Sequence, residues 1–262
     1  MITAIATDMD GTFLDEKSTY DKKHFSRIQE ALNKKGIRFI VASGNQYFKL
    51  KSYFEDTTDI IFISENGGII TINDDMEMVS SFTHDEVRDV LGLLSSHNIP
   101  VVLCGAQSAY TLDSVSEEFE TFARKYYEKL QLLPSFDKLP DDTFVKFATI
   151  IPEEELTTVT AELNANFKEG IKAVTSGNIY LDIVLEGSNK GAAIKKVLSE
   201  LELSAEDLAA FGDANNDLEM LEMAGYSYAV ANANDQAKAK SKKIIGSNRE
   251  KAVLAEIEKI IQ

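Results

Sequence analysis

The chain opens with Ile2-Thr3-Ala4-Ile5-Ala6-Thr7-Asp8-Met9-Asp10-Gly11-Thr12. An apolar run stops abruptly at two carboxylates and a glycine, which predicts a buried strand over 2–7 followed by a tight turn. Working outward, Phe25, Ile28 and Leu32 share one helical face, and Gly36 suits the end of that helix. Residues 37–42 predict a second strand, 48–54 a short helix and 60–63 a third strand. After Gly67-Gly68, residues 69–72 and 78–82 are expected to pair as a hairpin. The same alternation returns near the C-terminus. A helix through Ile194, Val197, Leu198 and Leu201 precedes a strand at 208–211, a helix at 218–223, a strand at 226–230 and a closing helix through Val253, Leu254, Ile257 and Ile261. Strands alternating with helices imply a parallel sheet covered on both faces. The expected fold class is therefore α/β, with a Rossmann-like parallel-sheet core.

Residues 83–188 follow another rhythm. A helix pattern (Val87, Val90, Leu91, Leu94) precedes a strand at 101–104, a helical region at 119–130, a strand at 144–151 and a helix at 156–167. Two strands, at 171–175 and 179–185, complete it. The reading is an α+β module inserted into the core, so that 1–82 and 189–262 form the core and 83–188 the insert.

The bulk properties limit the partners. The chain has 262 residues, 44% hydrophobic and 27% charged, as in ordinary globular proteins. No apolar run approaches the roughly 20 residues that span a bilayer, and the short apolar start lacks the basic leader of a signal peptide. One cysteine, Cys104, excludes an intrachain disulfide and fits a reducing, cytoplasmic setting; its apolar neighbours predict a small core residue. The formal net charge of −16 argues against nucleic acid and anionic membranes as partners. It also means that a site for an anionic substrate must carry its own positive charge. Lys238, Lys240, Lys242 and Lys243 are expected to form a solvated helix end, and His24, His84 and His97 to be ordinary surface or packing residues. The oligomeric state is not legible.

Four strand ends or helix starts carry candidate chemistry. Asp8 and Asp10 follow the first strand, where ligands bind in parallel α/β sheets, although a polar turn would also use acids. Ser43-Gly44-Asn45 follows the second strand, where a hydroxyl and amide groups can face a phosphate or simply cap a helix. Lys190-Gly191 opens a helix, where the macrodipole disfavours a cation unless an anion is nearby. Gly212-Asp213-Ala214-Asn215-Asn216-Asp217 lies after the strand at 208–211; a helix cap explains Asn216 or Asp217 but not Asp213. If these segments converge, the carboxylates repel: two unit charges 4 Å apart cost about 4 kcal/mol at an effective dielectric of 20. A cation would resolve that, and oxygen-only donors select a hard ion, with magnesium the usual partner of phosphate.

Together the four segments resemble the four motifs of the haloacid dehalogenase superfamily, in order. About 30 residues separate Asp10 from Ser43 and about 145 separate Ser43 from Lys190. That places the insert between the second and third motifs, as in the Cof-type (type IIB cap) subfamily. Ala42-Ser43-Gly44-Asn45-Gln46-Tyr47, Glu65-Asn66-Gly67 and Thr175-Ser176-Gly177 resemble its bacterial sugar phosphatases. The resemblance implies a Mg-dependent phosphatase acting on small phosphorylated metabolites, sugar phosphates first, through an aspartyl-phosphate. Asp8 would be the nucleophile and Asp10 the general acid and base. Asp8, Asp213 and the Asp10 carbonyl would bind magnesium, with Asp217 supporting them. Ser43, Gly44, Asn45, Met9, Lys190 and Asn216 would contact the substrate. Asn45 stands where many relatives have arginine. The insert would act as a cap that chooses the leaving group, with residues 175–178, Asp182 and Glu186 as candidates. A phosphomutase or phosphotransferase with the same nucleophile is the alternative, and a non-catalytic sensor of the same fold a more distant one.

Overall fold

The computed structural model describes residues 1–55, 57–175 and 179–262. Strand β1 (Ala4–Thr7) is buried throughout, as a strand covered on both faces must be. Helix α1 (Lys22–Lys35) is capped by Asp21, whose carboxylate accepts the His24 N–H, and it ends at Gly36 in the left-handed conformation. Its buried face, Phe25, Ile28 and Leu32, meets an aromatic cluster in which the Phe25 and Phe39 rings lie 4.9 Å apart. Strand β2 (Arg38–Ala42), helix α2 (Tyr47–Tyr53) and strand β3 (Ile60–Ser64) follow.

Strand β4 (Ile69–Ile72) forms the expected hairpin, but with β5 (Asp75–Met78), which shares only Met78 with the expected stretch at 78–82. The reason is the two-residue turn Asn73-Asp74. Both residues have positive φ (52° and 67°), the geometry that folds a strand straight back on itself. Pattern reading favoured the apolar residues, whereas the turn set the register and left polar Asp75 and Glu77 on an edge strand.

The chain then builds a second unit: α3 (His84–Ser96), β6 (Val102–Gly105), β7 (Ala109–Leu112), α4 (Glu117–Tyr126), β8 (Leu130–Leu133), β9 (Phe144–Ile150), α5 (Glu153–Asn166), β10 (Ile171–Thr175) and β11 (Tyr180–Leu185). Helix α3 begins with a capping box between Thr83 and Glu86. Strands β7 and β8 were not expected. Each has only four residues, and the half-exposed Leu130-Gln131-Leu132-Leu133 shows no clean alternation. The chain closes with α6 (Lys190–Glu200), β12 (Leu208–Gly212), α7 (Leu218–Met223), β13 (Tyr226–Ala229), α8 (Asp235–Lys240), β14 (Lys243–Ile244) and α9 (Ala252–Ile261).

The described strands form two sheets. The larger has the order β14-β13-β12-β1-β2-β3-β4-β5, parallel from β14 to β3 and antiparallel beyond. The smaller has the order β10-β11-β9-β6-β7-β8 and is antiparallel except between β7 and β8. Each sheet packs against its own apolar cluster, around Phe39 and Phe211 in the first and around Phe147 and Leu181 in the second. In the larger sheet Thr7 stands level with Phe211 on one side and Val41 on the other. That register brings the ends of β1, β12 and β2 to one edge, with Asp8, Asp213 and Ser43 just beyond them.

Candidate active site

Asp8 extends the first ladder by one bond, its N–H donating to the Phe211 carbonyl at 3.0 Å. The chain turns through Gly11 at φ +80°. A Cβ there would also come within 2.6 Å of the Asp213 carboxylate, so glycine serves both the turn and the approach of Asp213. Asp213 is held by the Thr12 hydroxyl, which donates to Oδ1 at 2.7 Å.

Lys190, fully buried in the first turn of α6, donates from Nζ to Asp8 Oδ1 at 2.5 Å and to Asp217 Oδ1 at 2.7 Å. Its position against the helix dipole is thus offset by two carboxylates. The backbone N–H groups of Asp213 and Ala214 donate to Asp217 Oδ2, at 2.9 and 3.1 Å. With these three donors Asp217 braces the motif from within, while Asp8 and Asp213 face the cleft.

The electrostatics are those of crowded acids. Burial raises the Asp8 carboxyl well above its ordinary range; Lys190 opposes this, while Asp217 and Asp213 add to it. Asp213 is pushed up to about 6, first by burial and then by Asp217, against the Thr12 hydrogen bond. Burial works against the Lys190 charge, yet Asp217 and Asp8 outweigh it and hold that pKa above the usual lysine value. Oxygens of Asp8, Asp213 and Asp217 lie within 4.8 Å of one another. One lysine against three carboxylates leaves negative charge in excess, and every donor is oxygen. Residues of this kind fit a hard divalent cation.

On the β2 side, Ser43 Oγ accepts the Asn45 N–H at 3.1 Å, and the Asn45 side-chain amide donates to Asp10 Oδ2 at 2.6 Å. A cleft of about 180 Å³ opens over these groups, lined by Asp8, Asp10, Ser43, Gly44, Asn45, Asp213, Ala214 and Asn216 from the larger sheet. From the smaller sheet and α4 come Phe122, Tyr126, Tyr127, Lys146, Ala148, Thr149, Tyr180 and Asp182. Phe122 and Tyr180 stack with centroids 5.9 Å apart, and the Tyr126 and Tyr180 hydroxyls are hydrogen-bonded at 3.0 Å. Burial raises the pKa of both tyrosines, and the charge of Asp10 adds to each, so their hydroxyls lie in its field.

The structure thus brings Asp8, Asp10, Ser43, Gly44, Asn45, Lys190, Asp213, Asn216 and Asp217 together, along with Asp182. It does not bring the Met9 side chain: that is buried in the apolar core, so only its main chain remains for a substrate. The reason is local, since Met9 follows β1 and its side chain packs with the sheet while Asp8 faces the cleft. Glu186 is exposed beyond β11 and lines no part of the cleft, and Thr175 lines an adjoining depression with Asn189. The rest of the 175–178 expectation lies outside the described residues. Among the described residues no histidine lines the cleft, and Cys104 is buried in an apolar cluster.

Sequence reasoning did not find Phe122, Tyr126, Tyr180 or Lys146. A signal existed for Lys146 alone: it sits in the middle of the apolar run Phe144-Val145-Lys146-Phe147-Ala148, where a lysine needs a buried partner.

The family model for haloacid dehalogenase-like hydrolases matches residues 5–257. The chain belongs to that family. It is 34% identical over 263 residues to the 5-amino-6-(5-phospho-D-ribitylamino)uracil phosphatase YbjI of Escherichia coli (strain K12), covering 100% of this chain and 97% of the relative. It superimposes on SMU.1108c from Streptococcus mutans UA159 with a TM-score of 0.94 at 33% identity, covering 100% of this chain and 99% of the other. The subclass IIB sugar phosphatase BT4131 shares the fold, with a TM-score of 0.85 at 18% identity over 99% of this chain and 100% of its own. The family member described here is an enzyme, a phosphoric monoester hydrolase. Among the described residues no helix is long and apolar enough to cross a membrane.

Proposed function

We propose that this hydrolase removes phosphate from small phosphorylated metabolites, sugar and sugar-alcohol phosphates above all, with magnesium, by transfer through Asp8. The observation that carries the reading is the Asp8 carboxylate, buried at the floor of the cleft with its charge met by Lys190 Nζ at 2.5 Å. A carboxylate so placed can attack phosphorus while its partner neutralises the incoming anion.

The family resemblance supports the remaining roles. Ser43 Oγ and the Gly44 N–H hold phosphoryl oxygens, the Met9 main chain and Asn216 contact the same group, and Asn45 aims Asp10. Asp10 protonates the leaving alkoxide, then takes a proton from the water that hydrolyses the aspartyl-phosphate. Splitting one displacement into two lets the same carboxyl serve as acid and then as base. Asp8, Asp213 and the Asp10 carbonyl are the residues that would hold magnesium, steadied by Asp217; the ion would supply charge neutralisation at the transferring group. Residues 83–188 act as the cap that selects the leaving group and excludes water. The stacked Phe122 and Tyr180 rings offer a flat surface for a sugar or heterocycle. The likeness to the E. coli enzyme supports including phosphorylated ribityl compounds in the range. A small phosphorylated substrate is the partner, and a cytoplasmic setting suits the single buried cysteine.

Inorganic phosphate release from a panel of phosphomonoesters, with and without magnesium, tests the reading. Hydrolysis that needs magnesium and disappears in Asp8→Asn is expected. Transfer to a sugar hydroxyl without free phosphate would replace the hydrolase reading by the phosphotransferase one.

A further inference from the structure

The turn Glu65–Gly67 at the end of β3 has no part in the chemistry above, yet its backbone is unusual. Three successive residues have positive φ: Glu65 at 51°, Asn66 at 56° and Gly67 at 97°. Two of them carry side chains, and such a run persists only where the surroundings dictate it. On one side the turn grips the Ser43–Asn45 loop: the Glu65 N–H donates to the Asn45 carbonyl and the Asn66 N–H to the Ser43 carbonyl, both at 3.1 Å.

On its other side the turn meets the smaller sheet. Lys146, on β9, is 2% exposed, and its Nζ donates to the Gly44 carbonyl at 2.6 Å and pairs with Glu65 Oε2 at 2.8 Å. Asp182, on β11, lies 3.6 Å from the same ammonium and accepts from the Asn66 amide at 2.7 Å. Asn66 Oδ1 in turn accepts from Asn216 at 3.0 Å. A polar chain therefore runs from Gly44 through Lys146, Asp182 and Asn66 to Asn216, linking two phosphate-facing segments of the core by way of two side chains of the insert. Burying a lysine and two carboxylates is a poor way to stabilise an interface, since apolar groups would serve as well or better. What the lysine adds is geometric: the Gly44–Asn45 peptide is fixed at its carbonyl by Lys146 and at its N–H by Ser43 Oγ.

We propose that Lys146 is a positioning residue, which sets the phosphate-holding loop from the insert through the Gly44 carbonyl, with the Glu65–Gly67 turn as its socket. The proposal rests on the reading that Ser43 and Gly44 hold phosphate. Its consequence is that the loop takes its binding geometry only when the insert is docked.

The test compares the full-length protein with K146M and with K146M/E65Q, the second removing the carboxylate that the first leaves unpaired. Michaelis constants are measured for an aryl phosphate and for a sugar phosphate, together with inhibition by inorganic phosphate, all with magnesium; thermal melts check folding. We expect KM for both substrates and Ki for phosphate to rise by one common factor, roughly 10- to 100-fold, as for loss of a hydrogen bond to a charged group. A folded double variant with wild-type constants overturns the proposal. So does a change that differs between the two leaving groups while Ki for phosphate stays put, because Lys146 would then contact the leaving group. If the wild-type protein hydrolysed neither ester, the phosphatase reading itself would have failed, while phosphate binding, read by calorimetry, would still report on Lys146.

Discussion

The Asn45 side-chain amide donates to Asp10 Oδ2 at 2.6 Å, tying the loop after β2 to the turn after β1. An arginine at this position would add a charge; here a neutral donor orients the carboxyl. Asn45→Ala should therefore impair esters with basic alkoxide leaving groups more than aryl esters, whose leaving group needs little protonation. A difference of roughly tenfold or more in the loss of kcat between the two classes is expected, within the range of general acid catalysis. Equal losses would show that Asn45 acts elsewhere.

Asp8→Asn separates activity from stability. Burial and two neighbouring acids raise the Asp8 carboxyl, so its charge opposes folding at neutral pH. The amide keeps the shape and removes the charge, leaving Lys190 its bond to Asp217. We expect turnover to fall by about 10³-fold or more with the nucleophile gone, while the melting temperature of the metal-free protein holds or rises. A clear drop in the melting temperature would contradict the electrostatic account.

The pKa of about 6 at Asp213 predicts opposed pH trends with and without metal. The folded state holds this proton more tightly than the unfolded chain, so its stabilising effect is full below the unfolded value near 3.8 and is lost as pH rises through about 6. The full effect is on the order of 3 kcal/mol. The metal-free protein should melt higher at pH 5.5 than this group allows at pH 7.5. Magnesium competes with the proton, so saturating magnesium should raise the melting temperature more at pH 7.5. Scanning calorimetry at the two pH values decides; equal magnesium shifts would remove Asp213 from the metal site.

The stacked pair Phe122 and Tyr180 should matter for the leaving group alone. Phe122→Ala removes one face of the stack at the cleft wall. An aromatic contact is worth about 1 kcal/mol, so kcat/KM for a heterocycle-bearing phosphate should fall by roughly five- to tenfold. A short acyclic phosphate should be little affected. A uniform loss across both substrates would point to a packing defect instead.

The parallel core was legible because its strands are buried on both faces, and the resulting apolar runs, such as 60–63, stand out against polar helix surfaces. The Asp8, Ser43, Lys190 and Asp213 segments were legible for a related reason: each follows a strand or opens a helix at the edge where ligands bind. The hairpin was misplaced because the turn conformation at Asn73-Asp74 outranked hydrophobicity. Phe122 and Tyr180 escaped notice because they come from α4 and β11, far apart in sequence, and an aromatic residue at helical spacing reads as core. Which face of the smaller sheet meets the larger is a tertiary fact that no local pattern encodes.

The two glycines after Asn66 mark both crossings between the sheets. On the way out, the Val79 N–H donates to the Gly68 carbonyl at 2.9 Å; on the way back, the Asn189 carbonyl packs so closely on Gly67 that no side chain fits there. Departure and return are therefore neighbours, and among the described residues the strands of the larger sheet pair only with one another. An architecture of that kind is a chassis with a single socket. Intervening modules could be traded between cousins, or trimmed to a short bridge, while Asp8, Lys190 and Asp213 keep their places.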